Sequence, residues 1–415
     1  MNASAPVRPA DYDHLLNPTN VQNPFPLYAQ LGEESPVHWN SHFGSWLLTR
    51  YSDVRSAFAD RTRFSSAVGE AMLSRVVDFP QHALSDFEIR YRYFYRQIQA
   101  LDAPKHTIHR SLIAKAFTPR VIEDLRLLIE RRVERLLETV LSEGESDFVA
   151  KFAYPLPSLV IFDLLGVPED YYPVLRASAS AFARFPAAIY ARDFAVLSDI
   201  ARHLADTENV LLGLVAARRH LPRSDLISAL ATVREGADTL TDDEIVVLCN
   251  FLLFAGHETT ANLLGGSVLH LLQERSLWNQ LRDDRALLPN ALEELLRFVS
   301  PVLTISRVLT EDFECHGTQM KKGDRVQLGV GAANHDPAQF SDSEDLRLDR
   351  PNPHSVAFGY GAHYCIGAAL ARLEAQIALG SLVQHVRDMR LRTETVEYQP
   401  VFYLRALKSL PISTR

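Results

Sequence analysis

Thr241-Asp242-Asp243-Glu244 has the spacing of a capping box, in which the Thr hydroxyl and the Glu carboxylate satisfy each other's free backbone N–H groups, and a nearly unbroken apolar run follows it. That run predicts a helix of about 30 residues, roughly 45 Å long. A helix apolar on almost every side has no face to offer water, so it must be buried through the centre of the molecule. A large core is needed, and 415 residues, 47% hydrophobic and 23% charged, can build one. No Gly/Ser linker, low-complexity tract or repeat marks a boundary, so one large domain covering residues 1–415 is expected.

Inside this run the sequence reads Ala-Gly-His-Glu-Thr-Thr from Ala255, and three local rules are broken together. Gly256 costs a helix about 1 kcal/mol relative to Ala. Glu258 and Thr259 place an ionisable group and a hydroxyl where burial is unfavourable without partners. One explanation is that Gly256 lets something flat approach the backbone while Glu258 and Thr259 manage protons and water beside it. A satisfied polar kink is the other. A zinc site of the HExxH kind is excluded, because the position needing the second His is Ala261.

Charge and cysteine content narrow the functional classes. With 43 basic and 51 acidic residues the net charge is -8, which disfavours wholesale nucleic-acid binding. The N-terminus lacks the pattern of a secretory leader and no apolar run reaches the roughly 18 residues of a membrane span, so a cytoplasmic protein is expected. The three cysteines, Cys249, Cys315 and Cys365, contain no CxxC pair and indicate neither a disulfide framework nor a structural zinc site. Cys249 reads as a small buried hydrophobe and Cys315 as an inert loop thiol.

The rest of the chain reads as mainly α with a minor β part. PVHWNSHFGSWLLTRY predicts two strands and a turn, and DVRSAFADRTRFSS a short helix with its exit. From His106 to Leu296 the 3.6-residue period dominates, as in VIEDLRLLIERRVERLLETVL. Past Pro301 come short β-like runs, then the irregular ANHDPAQFSDSEDLRLDRPNPHSVAFG, then a strong helical pattern after Cys365 and strand-like pieces in the tail.

FGYGAHYCIG, residues 358–367, sets glycines and a cysteine directly before that last helix. A thiolate is favoured where backbone N–H groups and a helix N-terminus point at the sulfur. Gly359, Gly361 and Gly367 permit conformations and close approaches that a Cβ would block, so the loop can fold around the sulfur and leave a flat cofactor room to rest on it. A phosphate loop would need GxxxxGK[ST], which is absent. A structural glycine turn with a buried Cys remains open on this segment alone.

Phe358, Gly361, Cys365 and Gly367 match FxxGxxxCxG, and with them the chain resembles the cytochrome P-450 family, specifically its soluble bacterial members. In that family a Cys thiolate holds haem iron. The likeness runs from WLLTRYSDVRSAF to LKSLPI and implies a multihelical fold with a small β part and haem b between the long central helix and the Cys loop. It implies Cys365 as the iron ligand, Glu258 and Thr259 as the acid and alcohol that supply protons for dioxygen activation, and Ala255, Gly256, Phe358, Gly361 and Gly367 as further cofactor contacts. It also implies His106, Arg110, Arg307 and His363 as partners of the haem propionates. Glu294 and Arg297 resemble the family's ExxR pair, completed by Arg350.

The implied activity is a monooxygenase that inserts one atom of O2 into an apolar small molecule, by hydroxylation or epoxidation, in secondary metabolism. No flavin or nicotinamide domain follows, so electrons are expected from a ferredoxin-type donor with its reductase. From Ala103 to Ile122 the chain has Lys105, Arg110, Lys115 and Arg120 and no acidic residue, which suggests a basic docking face for such a donor. A monomer is expected. Phenol coupling, a peroxide-driven reaction and a non-catalytic haem sensor are alternative uses of the same fold. In the family the substrate pocket would draw on residues 68–99, 171–204, the central helix and 302–305; the first two stretches carry Phe79, Phe87, Tyr91, Tyr93, Phe94, Tyr95, Phe182, Phe185 and Tyr190.

Overall fold

The computed structural model describes residues 15, 17–69, 96–185, 188, 193–234, 238–351 and 353–414. In chain order its principal helices are α1 (Phe25–Glu34), α2 (Tyr51–Ala59), α3 (Lys105–Ala116), α4 (Arg126–Glu143), α5 (Pro155–Leu165), α6 (Tyr172–Ala183), α7 (Phe194–His220), α8 (Asp242–Gln273), α9 (Leu288–Val299) and α10 (Ala368–His385). Strands β1 (Val37–Asn40), β2 (Ser45–Leu48), β3 (Phe64–Ser65), β4 (Ile305–Leu309), β5 (Phe313–Cys315), β6 (Thr318–Met320) and β7 (Arg325–Leu328) lie before and after the helical middle, as the periodicity predicts.

The chain sorts into two compact units, one from Met1–Ser65, Gly265–Cys365 and Met389–Ser413, the other from Ser66–Leu264, Ile366–Asp388 and Thr414–Arg415. Each unit draws on several stretches of chain. One boundary falls inside α8 and another directly after Cys365, where composition gives no sign of it.

The first unit holds a five-stranded sheet in the order β1-β2-β7-β4-β3. β1 and β2 form the antiparallel hairpin expected from their alternation, with Trp39 opposite Trp46 and their rings 5.0 Å apart. β7 runs parallel to β2 and antiparallel to β4. Val54, Ala57 and Phe58 of α2 pack into one cluster with Leu48, Val326, Leu328 and Val356, so the sheet is covered on that side by a helix 9 residues long.

The irregular segment after β7 begins with one short helix, Val330–Asn334, which the sequence pattern did not reveal. Beyond it, order comes from side chains. Arg297 on α9 makes a two-pronged pair with Glu294, both bonds 2.7 Å long, and Arg350 Nε donates to the same carboxylate at 3.0 Å. Glu294 and Arg297 are completely buried and Arg350 nearly so. The remaining guanidinium N–H groups donate to the carbonyls of Asn334, Ser341, Asp342, Ser343 and Asp345.

The second unit is helical. α4 buries Ile129, Val133, Leu137 and Val140, one stripe at helical spacing, and packs beside α10. The sequence reads VIEDLRLLIERRVERLLETVL as a continuous period, but the helix breaks at Leu125, leaving Pro119–Asp124 as a separate turn. The capping box forms as its spacing requires: the Thr241 amide donates to the Glu244 carboxylate at 3.0 Å, and the Glu244 amide to Thr241 Oγ1 at 3.2 Å. His109 on α3 lies 3.2 Å from the same Glu244 carboxylate and ties α3 to the start of α8.

Removing the shared carboxylate of the first unit leaves two buried guanidinium groups without their counter-ion. Glu294→Ala is therefore expected to lower folding stability by about 3–5 kcal/mol, read as a drop in the urea midpoint at unchanged slope.

Candidate active site

From Ile245 to Leu272 no residue of α8 is exposed, which meets the burial demanded by its composition. Burial is not uniform. Phe251, Phe254, Ala255, Glu258, Thr259 and Asn262 are only half-buried, and their spacing places them on one face of the helix. Helix packing covers the other sides and leaves this stripe partly open. It bears two aromatic rings, a carboxyl, a hydroxyl and an amide whose Nδ2 is buried with no hydrogen-bond partner among the described residues.

Burial alone raises the Glu258 carboxyl to about 7. Near neutral pH the group therefore holds or releases a proton with little bias. The Thr259 hydroxyl donates to the Ala255 carbonyl at 2.7 Å, the back-bonding that lets a buried Thr remain in a helix and leaves its oxygen free to accept. Gly256 also serves packing: a Cβ there would come within 2.7 Å of Ile161 Cδ1 on α5. His257, on the fully buried side, lies 3.1 Å through Nε2 from the Tyr154 carbonyl, and burial lowers it to about 4.

Phe182 and Phe185 stack at 5.6 Å in an apolar cluster with Ala181, Leu197 and Ile200, and Phe254 meets Phe182 edge-on at 4.6 Å. Phe79, Phe87, Tyr91, Tyr93, Phe94, Tyr95 and Tyr190 lie outside the described residues. The sequence reading passed over Phe251, Phe254 and Asn262; their spacing from Glu258 was a usable signal.

The Cys loop is folded by its glycines. Gly359 and Gly361 have φ of 69° and 74°, a region that disfavours any residue with a Cβ, and a Cβ on Gly361 would stand 2.9 Å from the Phe58 carbonyl at the end of α2. Gly367 is different: at φ -85° it caps α10 in a conformation open to other residues. The Cys365 amide donates to the Phe358 carbonyl at 2.9 Å, closing the turn, and the Cys365 side of the loop is exposed. Arg55 braces the loop, donating to the Tyr360 hydroxyl at 2.9 Å with its guanidinium 4.2 Å from the ring centre.

Of the four cationic positions, His106 and Arg110 stand one turn apart on α3, His106 buried and Arg110 half-buried. Arg307 is in β4, buried, with Nη1 donating to the Ser306 carbonyl at 2.8 Å, and His363 closes the 3-10 turn before the cysteine. Each unit carries groups that suit haem: the first a thiol on a glycine-folded loop, a soft donor for the iron, with the buried Arg307 as positive charge for a carboxylate, and the second a half-open apolar helix face with an acid and an alcohol.

Comparison with known proteins defines the class, a haem-thiolate oxygenase. The family model for cytochrome P450 matches residues 195–388. The polyketide biosynthesis cytochrome P450 PksS of Bacillus subtilis is 34% identical over 94% of this chain and 96% of its own, and its solved structure superposes with a TM-score of 0.86 at 32% identity, over 97% of this chain and 99% of that one. A steroid C26-monooxygenase of Mycobacterium tuberculosis is 35% identical over 75% of this chain and 84% of its own. P450BioI, solved in complex with an acyl carrier protein carrying hexadec-9Z-enoic acid, matches with a TM-score of 0.86 at 30% identity, covering 95% of this chain and 99% of that one. The chain belongs to the cytochrome P450 family. It is a haem-dependent monooxygenase, an oxidoreductase that incorporates oxygen from O2 into a small molecule. Among the described residues no helix is long and apolar enough to cross a membrane.

The raised carboxyl has a measurable consequence. Folding favours its protonated form, so Glu258 leaves stability intact below the ordinary carboxylate range and erodes it as pH rises through about 7. Glu258→Gln removes that erosion. Its Tm relative to the wild type is expected to increase between about pH 5 and about pH 8, measured on the haem-loaded protein by calorimetry.

Proposed function

We propose that residues 1–415 act as one haem domain that oxygenates an extended apolar molecule by hydroxylation or epoxidation, as a cytoplasmic monomer supplied with electrons by a ferredoxin-type protein and its reductase. The half-open stripe on α8 carries this reading, because it joins an acid and an alcohol to an aromatic surface inside an otherwise closed helix. Phe254 precedes Glu258 by one turn and touches the Phe182 cluster, which favours an apolar substrate of considerable size. The names of PksS and of the steroid C26-monooxygenase agree with that substrate class.

In this reading Cys365 is the thiolate ligand, His106, Arg110, Arg307 and His363 balance the propionates, and Ala255, Gly256, Phe358, Gly361 and Gly367 are further contacts of the ring. Haem supplies the reduction of O2 and the transfer of one oxygen atom to the substrate. The chain supplies the protons and their order of arrival. Glu258, raised to about 7, is a proton store matched to neutral pH. Thr259, with its own proton directed at the Ala255 carbonyl, keeps its oxygen available as an acceptor and can hold water or a hydroxyl in place. The Glu294, Arg297 and Arg350 network serves the site indirectly, by ordering the chain that leads toward the loop.

Thr259→Ala is expected to shift electrons from product to hydrogen peroxide, with NADPH consumption sustained, in a system reconstituted with ferredoxin and reductase. An unchanged ratio of product to NADPH would remove Thr259 from the reaction. The exposed residues Lys115 and Arg120, at the end of α3 and just beyond it, belong to the stretch that lacks acidic residues. Reversing both charges is expected to flatten the salt dependence of reduction by ferredoxin, followed by stopped-flow absorbance.

A further inference from the structure

Asp53, Cys315 and His316 come together where the β5–β6 hairpin packs beside α2, and the oxygenation reaction uses none of them. A carboxylate oxygen, the Cys315 Sγ and a ring nitrogen of His316 all lie within 4.8 Å of one another, and His316 Nε2 is 2.8 Å from Asp53 Oδ2. Cys315 is the last residue of β5, opposite Thr318, rather than a loop thiol. His316 and Gly317 form the two-residue turn, with φ of 50° and 76°, the primed geometry that suits a tight hairpin and sets the imidazole beside the sulfur.

The three donors stand on stiff supports. Asp53 is in the first turn of α2, whose entry is held by the Tyr51 amide donating to Asp336 at 2.8 Å. Cys315 and Phe313 pack against the same apolar cluster that contains Val54, Ala57 and Phe58 of α2. Asp53 and Cys315 are half-buried, whereas His316 is open to solvent.

We propose that Asp53, Cys315 and His316 form a binding site for a borderline-soft divalent cation, zinc being the ion that the donors suit best. Sulfur, imidazole nitrogen and carboxylate oxygen are the three ligand types zinc takes, while magnesium and calcium require oxygen throughout. Tetrahedral zinc would hold such atoms roughly 3.3–3.6 Å apart, so small torsional changes bring the present spacing into range. The His316–Asp53 contact opens as the ion enters between them. Three protein ligands leave a fourth position for water or an external donor on the exposed side. The absence of a CxxC pair hid this site from the sequence, because its ligands converge from 262 positions apart in one unit of the fold.

The test uses tag-free, haem-loaded protein dialysed against low-micromolar zinc, with metal measured by plasma emission and Cys315 alkylation by iodoacetamide followed at the peptide level. About one zinc per chain is expected in the wild type, held at least about tenfold more weakly by Cys315→Ser and by His316→Asn, the latter retaining a residue tolerant of the turn. Zinc, but not magnesium, is expected to slow Cys315 alkylation by a similar factor. Equal zinc content in the wild type and both variants, no zinc retained by the wild type, or an alkylation rate indifferent to zinc would overturn the proposal.

Discussion

A single buried carboxylate, Glu294, organises a long non-helical stretch of the first unit. It balances two guanidinium groups, Arg297 and Arg350, so the cluster carries an excess positive charge in a place with almost no water. That excess is met by five main-chain carbonyls between Asn334 and Asp345. A segment that makes few regular ladder bonds thus acquires fixed acceptors for every strong donor around it. Asn334 extends the arrangement, its Nδ2 donating to Ser300 Oγ at 3.0 Å and its Oδ1 accepting from the Val356 amide at 2.8 Å. Two residues later the Cys loop begins. The chain entering the loop is thus tied to the ion network through Asn334, and an apolar replacement could not reproduce the carbonyl contacts.

α8 resolves a second conflict. Its length and composition demand burial, and burial is hostile to Glu258 and Thr259. The helix answers each differently. Thr259 turns its proton back to Ala255, so that no orphan donor remains. Among the described residues Glu258 has no cationic partner strong enough to hold it ionised, and burial brings its proton affinity to the neutral range. An acid that is costly for stability is thereby suited to proton transfer, the usual trade between a stable core and a working one. Gly256, the third oddity of the segment, has a packing role as well: Ile161 occupies the space its Cβ would need.

Neighbouring chemistry separates these residues from ordinary core positions. Phe254 and Phe182 make an aromatic contact within the same unit as Glu258, and His257 turns away to the Tyr154 carbonyl. Adjacent residues of one helix, His257 and Glu258, are shifted by burial in opposite directions, each toward its neutral form. The half-open stripe thus gains a titratable group, while the closed side keeps an uncharged imidazole.

The amino-acid sequence alone determined the strongly local features: the capping box at Thr241, the length of α8, the β1–β2 hairpin, the helix after Cys365 and the glycine-dependent turn before it. Each follows from spacing within one helical turn or one strand pair, where propensity and hydrophobic period act directly. The break at Leu125 and the short helix Val330–Asn334 escaped that reading, since the apolar period runs on through the first and the second, 5 residues long, is too short to display one. Tertiary structure alone decided which carbonyls between Asn334 and Asp345 accept from Arg297 and Arg350, that Ile161 fills the space beside Gly256, that the open stripe of α8 is the one bearing Glu258, and that Cys315 and His316 adjoin Asp53. Such contacts join residues distant in the chain, and a local pattern carries no record of which distant atoms will exclude the water between them.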